Sequence, residues 1–227
     1  MTKIEAKSLV DAATERLEAA IIGGELSPGD RVREQVLAEE YGISRGPLRE
    51  AIRRLEGRRL LERTANIGVR VVELSTRRLA ELLDVREALE GMACRLATER
   101  ISPNELAKLR AMLDDHATHE EVRSGEGYYQ QSGDFDFHFR IVKASQNDYL
   151  ISMVSGDLYD LLRLYRYKSS TMTGRAAQAL AEHHAILDAL ESGDPDKAEA
   201  AMRTHIRNAR IHAQLAMDKV EQEAKAG

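Results

Sequence analysis

At 227 residues the chain is longer than a usual single domain, so two domains of unequal size, each with its own core, are expected. No run approaches the roughly eighteen apolar residues of a membrane span, and Met1 to Val10 lacks the apolar centre of a signal peptide. Those classes are excluded, and a cytoplasmic location without membrane partners is expected. Cys94 is the only cysteine, which leaves no intramolecular disulfide and no thiolate metal cluster; its neighbours Met92, Ala93 and Leu96 point to a core position. The net charge of −5 hides a polarity. Residues 1–75 carry thirteen basic and thirteen acidic side chains, residues 76–227 twenty and twenty-five. Seven arginines fall between Arg45 and Arg63 against Glu50, Glu56 and Glu62, a local excess that suits phosphate contact or, equally, a solvated arginine face.

In chain order, Ser8 is placed to cap a first helix with Leu9, Ala13, Leu17, Ala20 and Ile21 at helical spacing, stopped by Gly23-Gly24. After the turn at Pro28-Gly29, Arg33 to Tyr41 forms a short helix ended by Gly42, and Ser44 is placed to cap the next. That spacing is a helix-turn-helix. The second helix, to about Arg58, would bury Leu48, Ala51, Ile52 and Leu55 and project Arg45, Arg49 and Arg53 from the opposite side. Strands at Leu60 to Thr64 and Val69 to Leu74, joined through Ala65-Asn66-Ile67-Gly68, would make a wing.

Beyond a boundary at Ser75-Thr76 only helices are expected. The first carries Leu79, Leu82, Leu83, Leu89, Met92, Ala93 and Leu96; the next starts at the capping box Ser102-Pro103-Asn104-Glu105 and reaches about Glu121. Further helices span about Tyr128 to Ser145, Tyr149 to Arg166, Gly174 to Ser192, and Pro195 to Val220, with fraying only at Ala224 to Gly227 and the first few residues. The fold class is mainly α: a winged helix-turn-helix over residues 1–75 and an all-helical bundle over 76–227.

A helix in the major groove presents its first turns to base edges, so Arg45 and Arg49 would read bases while Ser44, Arg53 and the helix start hold phosphates. Asn66 and Gly68 at the wing tip would reach the minor groove. The alternative is that Arg49 and Arg53 pair with Glu50 or Glu56 on the surface. The run Ser44-Arg45-Gly46-Pro47-Leu48-Arg49-Glu50-Ala51-Ile52-Arg53-Arg54-Leu55-Glu56, with Pro28-Gly29-Asp30-Arg31-Val32 and Leu37-Ala38, resembles the GntR family of bacterial regulators. The resemblance implies a winged helix that binds a short palindromic operator in double-stranded DNA as a homodimer, with Arg33, Arg45, Arg49 and Gly68 among its contacts. One departure is visible: Arg58-Arg59 stands where the family usually has a Glu-Gly pair.

Asp134 and His138, four apart on one helix, can grip one ion together, and His183 and His205 lie at similar distances on either side of the turn at Gly193-Asp194-Pro195. An Asp and three His leave open positions on a divalent metal such as Zn, Ni or Mn. Ordinary surface or core histidines are the alternative, and His116, His119, His184 and His212 are assigned to it. The stretches from Asp134 to His138, Ala144 to Asn147, Glu182 to Leu187 and Met202 to Ile206 are similar to the FCD ligand-binding domain of the FadR subfamily. There the matching Asp and three His bind metal. Asp136 is a weaker substitute for Asp134.

The resemblance further implies a small organic acid as effector, enclosed in the bundle. Arg86 matches a family arginine that can face the cavity, although a surface pair with Glu90 at helical spacing is an alternative. Tyr159, Arg163 and Tyr165 are weaker candidates for holding a carboxylate. The leading expectation is an effector-responsive regulator, a repressor by preference. A regulator that senses the metal itself is second, and a metal-dependent hydrolase is remote because no neighbouring general base is marked.

Overall fold

The structure is a computed structural model that describes residues 8–65, 67–73, 75–124, 136–155, 160–161, 164 and 175–226. The chain divides into two compact units, Met1–Leu74 and Ser75–Gly227.

In the first unit α1 (Leu9–Ile22) opens with a reciprocal capping box between Ser8 and Asp11, and Gly23 closes it. Leu17 and Ile21 are completely buried, whereas Leu9, grouped with them by spacing, is exposed. Helix α2 (Glu34–Tyr41) ends on Gly42 in the left-handed conformation (φ 64°), and α3 (Arg45–Gly57) follows with Leu48, Ala51, Ile52 and Leu55 fully buried against α1. The expected cap on α3 is corrected: Ser44 has the extended N-cap backbone, but its side chain makes no capping hydrogen bond. The third helical residue, whose N–H such a side chain usually accepts, is Pro47, which has none.

The wing is an antiparallel pair, β1 (Leu61–Thr64) and β2 (Gly68–Val71), with Leu61 opposite Val71 and Thr64 opposite Gly68. Both strands are shorter than expected. Leu60 uses its N–H to close the end of α3 on the Leu55 carbonyl (3.0 Å), and past the last pair, Leu61 with Val71, one more hydrogen bond runs from Val72 N–H to the Leu60 carbonyl (3.1 Å). A third segment was missed: Val32 N–H donates to Val69 and Val71 N–H to Asp30, both at 2.9 Å, so residues 30–32 line the far side of β2.

The second unit holds only helices among its described residues: α4 (Thr76–Arg100), α5 (Pro103–His116), α6 (Glu120–Arg123), α7 (Phe137–Ala144), α8 (Asp148–Ser155), α9 (Arg175–Glu191) and α10 (Pro195–Ala226). The helix expected from Ser102 to Glu121 is two, because the Thr118 hydroxyl donates to the Asp115 carbonyl (2.7 Å) at a turn and His119 starts α6. Helix α7 begins at Phe137 rather than Tyr128, since Asp136 caps it, and residues 125–135 lie outside the described residues. Helix α10 continues through Ala226, past the fraying expected there. Packing of α4 along α10, of α9 on α10, and of α7 on α4 builds the core; Cys94 is buried within it, and burial pushes its thiol up.

Arg59, the departure from the usual glycine, occupies the left-handed region with φ 58°. The Cβ of an L-residue is crowded there, and glycine is not. Arg59→Gly is therefore expected to raise unfolding free energy by about 1 kcal/mol in urea denaturation. A loss of stability would show that Arg59 makes contacts outweighing its backbone strain.

Candidate functional site

His138, His183 and His205 come from α7, α9 and α10, and the three residues are 3%, 2% and 5% exposed. Asp136 fixes the first: its Oδ1 accepts from the backbone N–H of His138 (3.0 Å) and of Phe139 (3.4 Å), starting α7 with His138 pointed inward. Phe137 lies against the His183 ring at 4.6 Å between centroids. The turn at Gly193 (φ 69°) folds α10 back along α9 and brings His205 to His183. The Nε2 atoms of His138 and His183 are 3.1 Å apart and those of His183 and His205 3.3 Å.

That convergence fits one metal ion. Two imidazole nitrogens bound to zinc at about 2.0–2.1 Å are about 2.9 Å apart at a right angle and about 3.3 Å at the tetrahedral angle. The two measured separations fall within that range. The ligand atoms of the three residues all lie within 4.8 Å of one another.

Carboxylates back two of the rings. His138 Nδ1 lies 2.7 Å from Glu90 on α4, and His205 Nδ1 lies 2.7 Å from Glu182 on α9. Burial pushes the Glu182 carboxyl up, but hydrogen bonds from His205, Arg175 and Asn208 outweigh it and bring its pKa to about 2. Burial first, then the positive charge of its neighbours, holds His183 well below the ordinary histidine value. Burial likewise lowers His205 against the opposing pull of Glu182.

The structure thus brings together three of the four expected metal ligands, while Asp134 lies outside the described residues. Asp136, the substitute, is occupied as a helix cap. His116, His119, His184 and His212 are not in the converging group, although His116 is near enough for its charge to act on His183. Arg86 pairs with Glu90 as its helical spacing allows, but the pair is buried rather than on the surface, with Arg86 Nε 2.7 Å from Glu90 Oε1. Tyr159, Arg163 and Tyr165 lie outside the described residues. Glu90 and Glu182 were not anticipated as partners of the histidines. Their targets are 48 and 23 residues away, beyond what helical spacing can reveal.

In the first unit Arg33, Ser44, Arg45, Arg49 and Arg53 are all exposed. Arg49 donates from Nε to Glu34 on α2 at 2.8 Å, a partner not foreseen, and Arg53 pairs loosely with Glu50 at 3.5 Å. Glu56 binds Arg63 on β1 instead of a residue of its own helix. Gly68 opens β2 with φ 99° beside the Arg31 guanidinium, and Asn66 lies outside the described residues.

Residues 81–208, more than half of the chain, match the FCD domain family, and residues 9–71 match the bacterial regulatory proteins of the gntR family. The chain belongs to the GntR family, in the group that carries an FCD domain. This GntR regulator is 32% identical over 186 residues to the probable D-xylose utilization operon transcriptional repressor of Paenarthrobacter nicotinovorans, covering 82% of this chain and 80% of that protein. It is 29% identical to LutR of Bacillus subtilis, covering 83% and 93% of the two chains. Among solved structures, E. coli McbR/YncC shares its fold with a TM-score of 0.72 at 24% identity, covering 92% of this chain and 99% of that one. A GntR regulator from Rhodococcus sp. RHA1 does so with a TM-score of 0.74 at 22% identity, over 90% and 96%. The protein is therefore a DNA-binding transcriptional regulator and not an enzyme. None of the described helices is long and apolar enough to cross a membrane.

Buried neutral histidines make the metal-free fold sensitive to acid. The lowered pKa values of His183 and His205 mean that the unfolded chain binds more protons below its own histidine pKa of about 6.5, so stability falls as pH drops through that value. Glu182 adds stability that is full above the ordinary carboxylate pKa of about 4.3 and is lost toward about 2. Urea denaturation of chelator-treated protein is expected to show stability rising from pH 5 to 7 by up to about 1.4 kcal/mol per pH unit for each histidine. A maximum below pH 6 would contradict neutral burial of His183 and His205.

Proposed function

We propose that this regulator answers to a small organic acid bound at a divalent metal, zinc by preference with nickel or manganese as substitutes, held by His138, His183 and His205. The convergence of three buried Nε2 atoms inside the FCD region carries the reading. The ion would supply a Lewis-acidic anchor for a carboxylate oxygen.

Charge supports an anionic effector over the metal as sole signal. Arg86 with Glu90 and Arg175 with Glu182 are closed ion pairs, so these four side chains add no net charge beside the imidazoles. A buried divalent ion would then carry positive charge that these residues leave unbalanced, and an acid effector offsets it. With Arg86 tied to Glu90, direct effector contact falls to other groups, of which Tyr159 and Arg163 remain the candidates.

On the DNA side, we place Arg45 and Arg49 at base edges of a palindromic operator and Arg33, Ser44, Arg53, Asn66 and Gly68 at the backbone or adjacent groove. Two features support this. The start of α3 lacks a side-chain cap, leaving backbone N–H groups open to a phosphate, and Glu34 holds Arg49 in place on the exposed face. Homodimerisation is supported by exposed apolar residues in helical register: Val85 and Met92 on α4, Tyr149 and Met153 on α8, Ile211 and Leu215 on α10. Effector-induced displacement would release a repressor from its site. An operator as target also supports a cytoplasmic location.

Fluorescence anisotropy on an operator selected from random duplexes tests the reading. Affinity is expected to fall steeply with salt, and Arg49→Ala to weaken it by about 1–3 kcal/mol. A carboxylate that raises the Tm of metal-loaded protein is expected to change operator affinity, and to lose that effect in His183→Ala. Full response in His183→Ala would remove the metal from the mechanism.

A further inference from the structure

Two side-chain chains of the same composition flank the three histidines. On α4, Arg86 donates from Nε and Nη2 to the two oxygens of Glu90 (2.7 and 3.3 Å), and Glu90 Oε2 meets His138 Nδ1 at 2.7 Å. On α9, Arg175 donates to both oxygens of Glu182 (2.9 and 2.5 Å), and Glu182 Oε2 meets His205 Nδ1 at 2.7 Å. Asn208 adds a fourth hydrogen bond to Glu182, at 2.8 Å. Arg86, Glu90 and Arg175 are all more than nine-tenths buried.

An ionised carboxylate only accepts hydrogen bonds, so the imidazole nitrogen facing it carries the proton. In a neutral ring the opposite nitrogen, Nε2, is then a bare lone pair. The bidentate arginine behind each carboxylate pairs with it and aims it at the imidazole. Burying two such ion pairs is a poor route to stability, because apolar side chains of the same volume serve as well or better.

We infer that Glu90 and Glu182 are positioning residues that fix His138 and His205 as Nδ1–H tautomers, presenting both Nε2 lone pairs to the shared point before any ion arrives. Arg86 and Arg175 act through these carboxylates. The inference rests on the metal-centre reading for its use, but the tautomers themselves are a property of the chain alone. A carboxylate behind an imidazole also raises its basicity as a ligand, which favours borderline ions such as zinc or nickel over hard ones such as magnesium.

The test uses full-length protein labelled with 15N-histidine and stripped with chelator. Long-range proton–nitrogen spectra are expected to show His138 and His205 protonated on Nδ1 and bare on Nε2; Nε2–H rings or tautomer mixtures would overturn the inference. Zinc competition against a chromophoric chelator is the second readout. Glu90→Gln and Glu182→Gln are expected to weaken zinc binding about 10- to 100-fold. If a stranded arginine unfolds either variant, the charge-relieved pairs Arg86→Met/Glu90→Gln and Arg175→Met/Glu182→Gln are expected to fold and show the same loss. Wild-type affinity in folded variants would refute the positioning role. If wild-type protein binds no zinc yet shows the Nδ1–H tautomers, the metal reading fails while the tautomer assignment stands.

Discussion

Three imidazole nitrogens can bind one buried ion only if their protons are kept away from it. His138, His183 and His205 meet at one buried point, and the rest of the helical unit is arranged around that demand. Charged rings there would repel one another and lose their hydration, which is why burial holds His183 and His205 toward the neutral form. Asp136 starts α7 so that His138 arrives in place, and the α9–α10 hairpin supplies the other two rings. A cation held there, as proposed, would satisfy the lone pairs that this packing brings together.

The DNA-binding unit works under a different constraint. Arg33, Arg45, Arg49 and Arg53 remain at the surface, the position that the proposed contacts with phosphate and guanine require. Leu48, Ala51, Ile52 and Leu55 anchor α3 so firmly that its opposite face can be devoted to charge. Pro47 removes the N–H that Ser44 would otherwise cap, which leaves the hydroxyl without that partner. Glu34 reaches across from α2 to hold Arg49 without hiding it.

Much of this was legible in the chain. Helical spacing marks the buried face of α3, Gly42 marks its approach, and resemblance singles out His138, His183 and His205, the three histidines that converge. What stayed hidden involves partners far apart in sequence. Glu90 meets His138, Glu34 meets Arg49, and residues 30–32 lie along β2; none follows from local periodicity. Arg86 shows the limit most clearly: its spacing to Glu90 predicts the pair, but only tertiary packing decides that the pair is buried and turned toward a histidine. The break between α5 and α6 was missed because it depends on hydrogen bonding at Thr118 rather than on a glycine or proline.

The measurement that bears most directly on the metal centre is X-ray absorption at the metal edge of the purified protein, before and after a stabilising carboxylate is added. The expected spectrum shows imidazole shells from His138, His183 and His205 with nitrogen at about 2.0–2.1 Å, and an altered oxygen shell when the acid binds. Protein that carries no metal, or metal without imidazole scattering, would contradict a three-histidine centre and return these residues to the hydrogen-bonded core.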